Sequence, residues 1–127
     1  MKNPKIKATF NDRIIEVWFD DDAVINSDDL EEIYDFANRQ SKGEQYCILF
    51  EASKSYEVTD DALEFMANNP HNKNILAKVY IVDHKEAEVK TRLHLLFDHP
   101  SMKPFVFKTH DAGMEYLRDR IKEHAHS

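Results

Sequence analysis

Glycine is scarce in this chain. Two stand among 127 residues, Gly43 and Gly113, and each is isolated. No glycine-rich loop is available to cradle a phosphate, which argues against P-loop and dinucleotide-binding turns. There is a single cysteine, Cys47, so no intramolecular disulfide can form and a reducing compartment fits. Cys47 lies inside an apolar run and reads as a small buried hydrophobe. No stretch approaches the roughly 20 apolar residues that a membrane helix needs. No long apolar segment follows Met1-Lys2-Asn3-Pro4-Lys5, so no secretory leader is expected, and the expected location is cytoplasmic. Basic residues never occur side by side, and the formal net charge is -7. Such a surface disfavours nucleic acid and anionic membranes, because both are polyanions.

What is present suits one folded domain. Hydrophobic residues make up 42% and charged residues 32% of the chain, an ordinary globular balance. The length supports a single domain over residues 1–127, with a frayed polar tail at 123–127. The organising stretch is Tyr46-Cys47-Ile48-Leu49-Phe50, an unbroken apolar run bounded by polar residues. It predicts a strand buried on both faces. A seven-residue polar loop, 51–57, follows, and Thr59-Asp60-Asp61 opens a helix.

The remaining elements follow from pattern. Ile6–Phe10 and Arg13–Phe19 alternate and form an antiparallel hairpin around Asn11-Asp12. Ser27 caps a first helix that Lys42-Gly43 closes, with Leu30, Ile33, Tyr34 and Ala37 inward. The helix from Asp60 buries Leu63 and Met66-Ala67 and stops before Pro70, and a polar loop runs to Asn74. Leu76–Val82 is a further strand, in which Lys78 is expected near a sheet end or snorkelling to solvent. Asp83 and Glu86 form a capping box for a third helix reaching about Asp98. Pro104–Lys108 is a short last strand, and a final helix after Thr109 buries Met114, Leu117 and Ile121. The order is β-β-α-β-α-β-α-β-α, which predicts an α/β fold with a mixed, mostly parallel central sheet flanked by helices.

No catalytic motif emerges. The consecutive Asp20-Asp21-Asp22 lacks the alternate spacing and glycine of a calcium loop, and reads as a solvated turn. Of seven histidines, His94 shares a helix face with Asp98 near His99, but a metal site needs further ligands, and no metal or other cofactor is expected. No serine–histidine–acid or cysteine–histidine set has useful spacing, so an enzyme is not expected. In a parallel sheet, ligands and partners meet the protein at strand–loop–helix junctions. Glu51, Ser53, Ser55, Tyr56, Thr59, Asp60 and Asp61 are therefore the candidate partner-binding or regulatory residues, with Tyr56 either an exposed aromatic anchor or folded back onto the domain.

These features carry a resemblance. The opening hairpin, Glu51-x-Ser53 ahead of Thr59-Asp60-Asp61-Ala62, Phe97-Asp98-His99-Pro100, Phe105-Val106-Phe107 and Ala112-Gly113-Met114-Glu115-Tyr116-Leu117 are similar to the SpoIIAA-like branch of STAS domains, also called STAS/SEC14-like. The similarity spans roughly residues 6 to 122 and rests mostly on hydrophobic pattern. It implies a bacterial, non-enzymatic regulatory module that binds a protein partner, with a regulatory kinase as one candidate and a homodimer as another arrangement. In anti-sigma factor antagonists of that superfamily, a serine or threonine at the helix start after the third strand is phosphorylated. The matching positions are Thr59, Asp60 and Asp61, where aspartates replace serine and glycine. The alternative implied by other relatives is a small-ligand carrier for a lipid or nucleotide. Its cavity would lie between sheet and helices, lined by Phe36, Phe65, Phe97, Phe105 and Phe107.

Overall fold

The hairpin turns on two residues that both adopt positive φ, Asp12 at 52° and Arg13 at 66°. That geometry matches the twist of the flanking strands. A computed structural model describes residues 1–54, 56–87 and 105–125. In it β1 (Ile6–Asn11) pairs antiparallel with β2 (Ile14–Phe19), as the alternation predicts. The chain continues through β3 (Val24–Ile25), α1 (Ser27–Gln40), β4 (Tyr46–Glu51), β5 (Glu57–Val58) and α2 (Asp60–Ala67). A 3-10 turn (Pro70–Asn74), β6 (Ile75–Ile81), β7 (Phe105–Phe107) and a last helix, α3 (His110–Ala125), complete the described elements.

The main sheet has the order β1-β2-β4-β6-β7, with every pairing after the hairpin parallel. The apolar run at 46–50 is thus the central strand, and each of its five side chains is buried. Its alternating side chains feed two cores. Tyr46, Ile48 and Phe50 face α1 and α2, together with Ile15, Val17, Ile33, Ala37 and Ala62. Cys47 and Leu49 face α3, together with Val79, Ile81, Met114 and Leu117. Burying such side chains stabilises the fold by about 1.5–3 kcal/mol each.

Several local expectations need correction. The segment read as one polar loop contains β5, which pairs parallel with β3 in a separate two-stranded sheet. Two-residue strands leave no periodicity to read. Asn26, one residue before Ser27, caps α1: its side chain accepts from Asp29 N (3.0 Å), while the Asp29 carboxylate accepts from Asn26 N (3.0 Å). This reciprocal box satisfies two otherwise orphaned N–H groups. Lys78 is 1% exposed in the middle of β6, opposite Ile48, so it neither snorkels nor ends the sheet. The loop read at 70–74 is a 3-10 turn with proline at its start. Within α2 only Ala62 is fully buried; Leu63, Met66 and Ala67 are half-buried. His84, not Asp83, caps the next helical turn at 85–87, because its Nδ1 accepts from Ala87 N (3.2 Å). The rest of the expected third helix, through Asp98, lies outside the described residues, as do Ser55, His94, Phe97 and His99. Among the described residues no helix is long and apolar enough to cross a membrane.

Candidate functional site

The structure separates the expected site residues into two groups. The first surrounds the N-termini of α1 and α2. Thr59 caps α2, accepting from Ala62 N (3.4 Å), and its hydroxyl donates to Asp61 Oδ1. The other Asp61 oxygen accepts from Ser27 N (3.2 Å) and Ser27 Oγ (2.7 Å). Hydrogen bonds from Thr59 and Ser27 hold the Asp61 carboxyl down to about 2. One carboxylate therefore fastens the starts of two helices together. The β3–β5 ladder adds Glu57 N to Ala23 O (2.8 Å) and Thr59 N to Ile25 O (3.0 Å). Asp60 and Asp28 are exposed, and the positive ends of the helix dipoles favour both. Val24, on β3, is 47% exposed. Behind it Lys5 Nζ donates to Val24 O (2.9 Å) and pairs with Asp29 (2.5 Å).

The second group lies at the carboxyl end of β4. Ser53 Oγ donates to Glu51 Oε1 (3.2 Å) and accepts from Asp83 N (3.2 Å). Burial pushes the Glu51 carboxyl above its ordinary range, against the pull of Ser53 and His110. His110, at the start of α3, places Nε2 3.1 Å from Glu16 Oε2. His84 has Nδ1 occupied as the cap acceptor, so its Nε2–H donates to the Ser53 carbonyl oxygen at 3.0 Å. That histidine meets the serine's backbone, while the Ser53 hydroxyl meets the Glu51 carboxylate. Cys47 is fully buried, and burial pushes its thiol up to about 11.

Tyr56 belongs to neither group. It is 4% exposed, its ring 4.9 Å from that of Phe19 in the core between the sheet and α1. The expectation of an exposed aromatic anchor is corrected: β5 turns the residue inward, and Val24 is the exposed apolar group on this rim. Of the phenylalanines expected to line a cavity, Phe97 lies outside the described residues, and the other four stand on opposite sides of the sheet. An apolar void of about 30 Å³ lies beneath β3 and β5, lined by Phe19, Leu30, Tyr34, Phe50, Tyr56 and Tyr80 among others. Phe36 packs in the core, and Phe65 stacks on Tyr34 (6.1 Å). Phe105 and Phe107 lie against Tyr116 of α3, on the opposite side of the sheet.

One cluster escaped sequence reasoning. Glu31 and Asp35 are four residues apart on α1 and share a face. The 3-10 turn carries His71 to them, with Nε2 3.3 and 3.4 Å from the two Glu31 oxygens. The i,i+4 acids were legible, but no spacing links them to a histidine some forty residues away.

Comparison with known proteins places this geometry. None of the curated proteins matches the chain. Among solved structures it is similar to an uncharacterised protein of the DUF3478 family with a SpoIIAA-like fold, from Shewanella loihica PV-4. That match covers 88% of this chain and 91% of the other, at 13% identity and a TM-score of 0.62. At such identity the likeness concerns the fold, which is SpoIIAA-like. A family model described as a domain of unknown function, DUF7793, matches residues 8–121, and the chain belongs to that family.

Proposed function

We propose that the chain is a non-enzymatic protein-interaction module. Its contact surface is the rim formed by β3, β5 and the starts of α1 and α2. The observation that carries this reading is Val24, a large apolar side chain left 47% exposed on a rim of carboxylates. Asp21, Asp28, Asp60 and Asp61 are all exposed there. An apolar centre with a charged border is how interfaces are commonly built. The fastening of Ser27 to Asp61 and of β3 to β5 supports a preformed surface, which lowers the ordering cost of binding. The partner surface is basic by complementarity. Phosphorylation of Thr59 would remove the α2 cap and add charge beside Asp60 and Asp61, so a kinase would act here as a release signal. The ligand-carrier alternative is the second reading: among the described residues, the apolar pocket beneath β3 and β5, at about 30 Å³, holds roughly one water.

Affinity capture from the native host tests the reading. A specific partner should be retained by the wild type, lost with Val24→Asp or Asp60→Lys, and kept by Glu115→Lys on α3. Equal capture by all four proteins would move the interface elsewhere. Mass spectrometry after incubation with host kinases and ATP tests the release signal, and unmodified Thr59, Ser53 and Ser55 would remove it.

A further inference from the structure

We propose that Glu31, Asp35 and His71 form a binding site for one divalent transition ion of the zinc type. Water would complete its coordination. The proposal is independent of the rim described above: it concerns the middle of α1 and the 3-10 turn.

Three observations carry it. The first is geometric. One ligand atom from each residue lies within 4.8 Å of the other two. His71 Nε2 faces the bite of the Glu31 carboxylate, 3.3 Å from one oxygen and 3.4 Å from the other. A charge-assisted hydrogen bond would be shorter, about 2.8 Å, and aimed at one oxygen. Two ligands held about 2.1 Å from a tetrahedral ion stand about 3.4 Å apart, close to what is seen.

The second is the support behind the histidine. The imidazole stacks on Tyr34 at 5.2 Å and 8°, and Phe65 closes on it at 6.3 Å. His71 N donates to Asn69 Oδ1 (2.9 Å), which fixes the start of the turn. A ring held this way loses little freedom when it takes a metal.

The third is an unpaired atom. Asn38 Nδ2 lies 3.1 Å from His71 Nδ1, while Asn38 Oδ1 is buried without a hydrogen-bond partner among the described residues. The two ends of an amide are nearly isosteric. Turning the amide over brings Oδ1 to Nδ1 as an acceptor, which is the support a metal-bound histidine ordinarily has. The ring proton then resides on Nδ1, and the Nε2 lone pair faces the Glu31 carboxylate, an arrangement that a bound cation makes favourable. Without an ion the amide donates and Nε2–H serves Glu31. Asn38 thus suits both states. Two carboxylates also match the double charge of the ion, and one imidazole with two oxygens is a donor set zinc accepts. Asp35 and Asn38 border an open groove shared with Lys2 and Arg39, which provides an entry path.

The test uses the full chain without a histidine tag, purified free of metal and titrated with Zn²⁺ by calorimetry. Asp35 is exposed, and its carboxylate has no hydrogen-bond or ion-pair partner among the described residues, so Asp35→Asn should fold as the wild type does. One Zn²⁺ should bind the wild type at micromolar concentration. Binding should weaken at least about tenfold in Asp35→Asn and vanish in His71→Gln, and Asn38→Leu should cost about 10–100-fold. Zn²⁺ should also raise the melting temperature of the wild type but not of Asp35→Asn. Failure of the wild type to bind Zn²⁺, or equal affinity in wild type and Asp35→Asn, would overturn the site. Should His71→Gln misfold, the Asp35→Asn comparison still decides.

Discussion

Replacing Tyr56 by alanine distinguishes a core residue from an exposed anchor. The ring is 4% exposed and packs 4.9 Å from Phe19, which in turn lies 6.0 Å from Phe50. Removing a buried aromatic ring costs about 3–5 kcal/mol, through lost transfer energy and the cavity left behind. The existing void of about 30 Å³ beside the ring works against repacking and keeps the cost from falling to the bottom of that range. The short β5 can yield inward, which works the other way. We expect a loss of about 4 kcal/mol, a large share of the roughly 5–15 kcal/mol that holds a domain together. Urea unfolding followed by the fluorescence of Trp18, the one tryptophan, measures it directly. At an m-value of about 2 kcal/mol/M the midpoint should fall by about 2 M. A fall of less than about 0.5 M with m unchanged would mean that the ring faces solvent.

Two further perturbations probe other parts of the fold. A Cβ on Gly113 would stand 2.6 Å from Ile81 Cδ1 and 3.1 Å from Val79 Cγ1. Gly113→Val should therefore destabilise by about 3 kcal/mol in thermal unfolding. Gly113→Ala should cost no more than about 1 kcal/mol, because Ile81 Cδ1 can swing away and alanine favours the helix. Asp29 gives a pH dependence: burial raises its carboxyl, but hydrogen bonds from Lys5, Asn26 N–H and Asn3 outweigh burial and hold it below the ordinary range. A depressed folded-state value contributes stability above about pH 4, which is lost as pH falls through that value. Chemical denaturation across pH 2–7 should show this acid limb in the wild type and a shallower one in Asp29→Asn, and identical profiles would contradict the assignment.

The main architecture was legible because its signals are local. Five consecutive apolar residues can only be a doubly buried strand or part of a helix, and the flanking turns settle which. The two-residue ladder between β3 and β5 was illegible, since it joins Ala23 to Glu57 across the whole of α1 and β4. The inward turn of Tyr56 depends on that ladder, so the same ignorance mislaid it. Thr59 was legible as a helix cap, but its bond to Asp61, and Asp61's hold on Ser27, were not. Ser27 and Asn26 are both good caps, and contact with α2 draws Ser27 away to Asp61. Lys78 looked misplaced in an apolar strand because pattern alone prices a buried charge without seeing its surroundings.

The central claim is that residues 56–61 are pinned against β3, with Tyr56 beneath and the acidic rim above. Amide hydrogen exchange read by NMR tests it most directly. Glu57 and Thr59 amides, donated to Ala23 and Ile25 carbonyls, should exchange far more slowly than the amide of the exposed residue Lys54, and Tyr56 ring protons should show contacts with Phe19. Free exchange at Glu57 and Thr59, with no contact between those rings, would contradict the account.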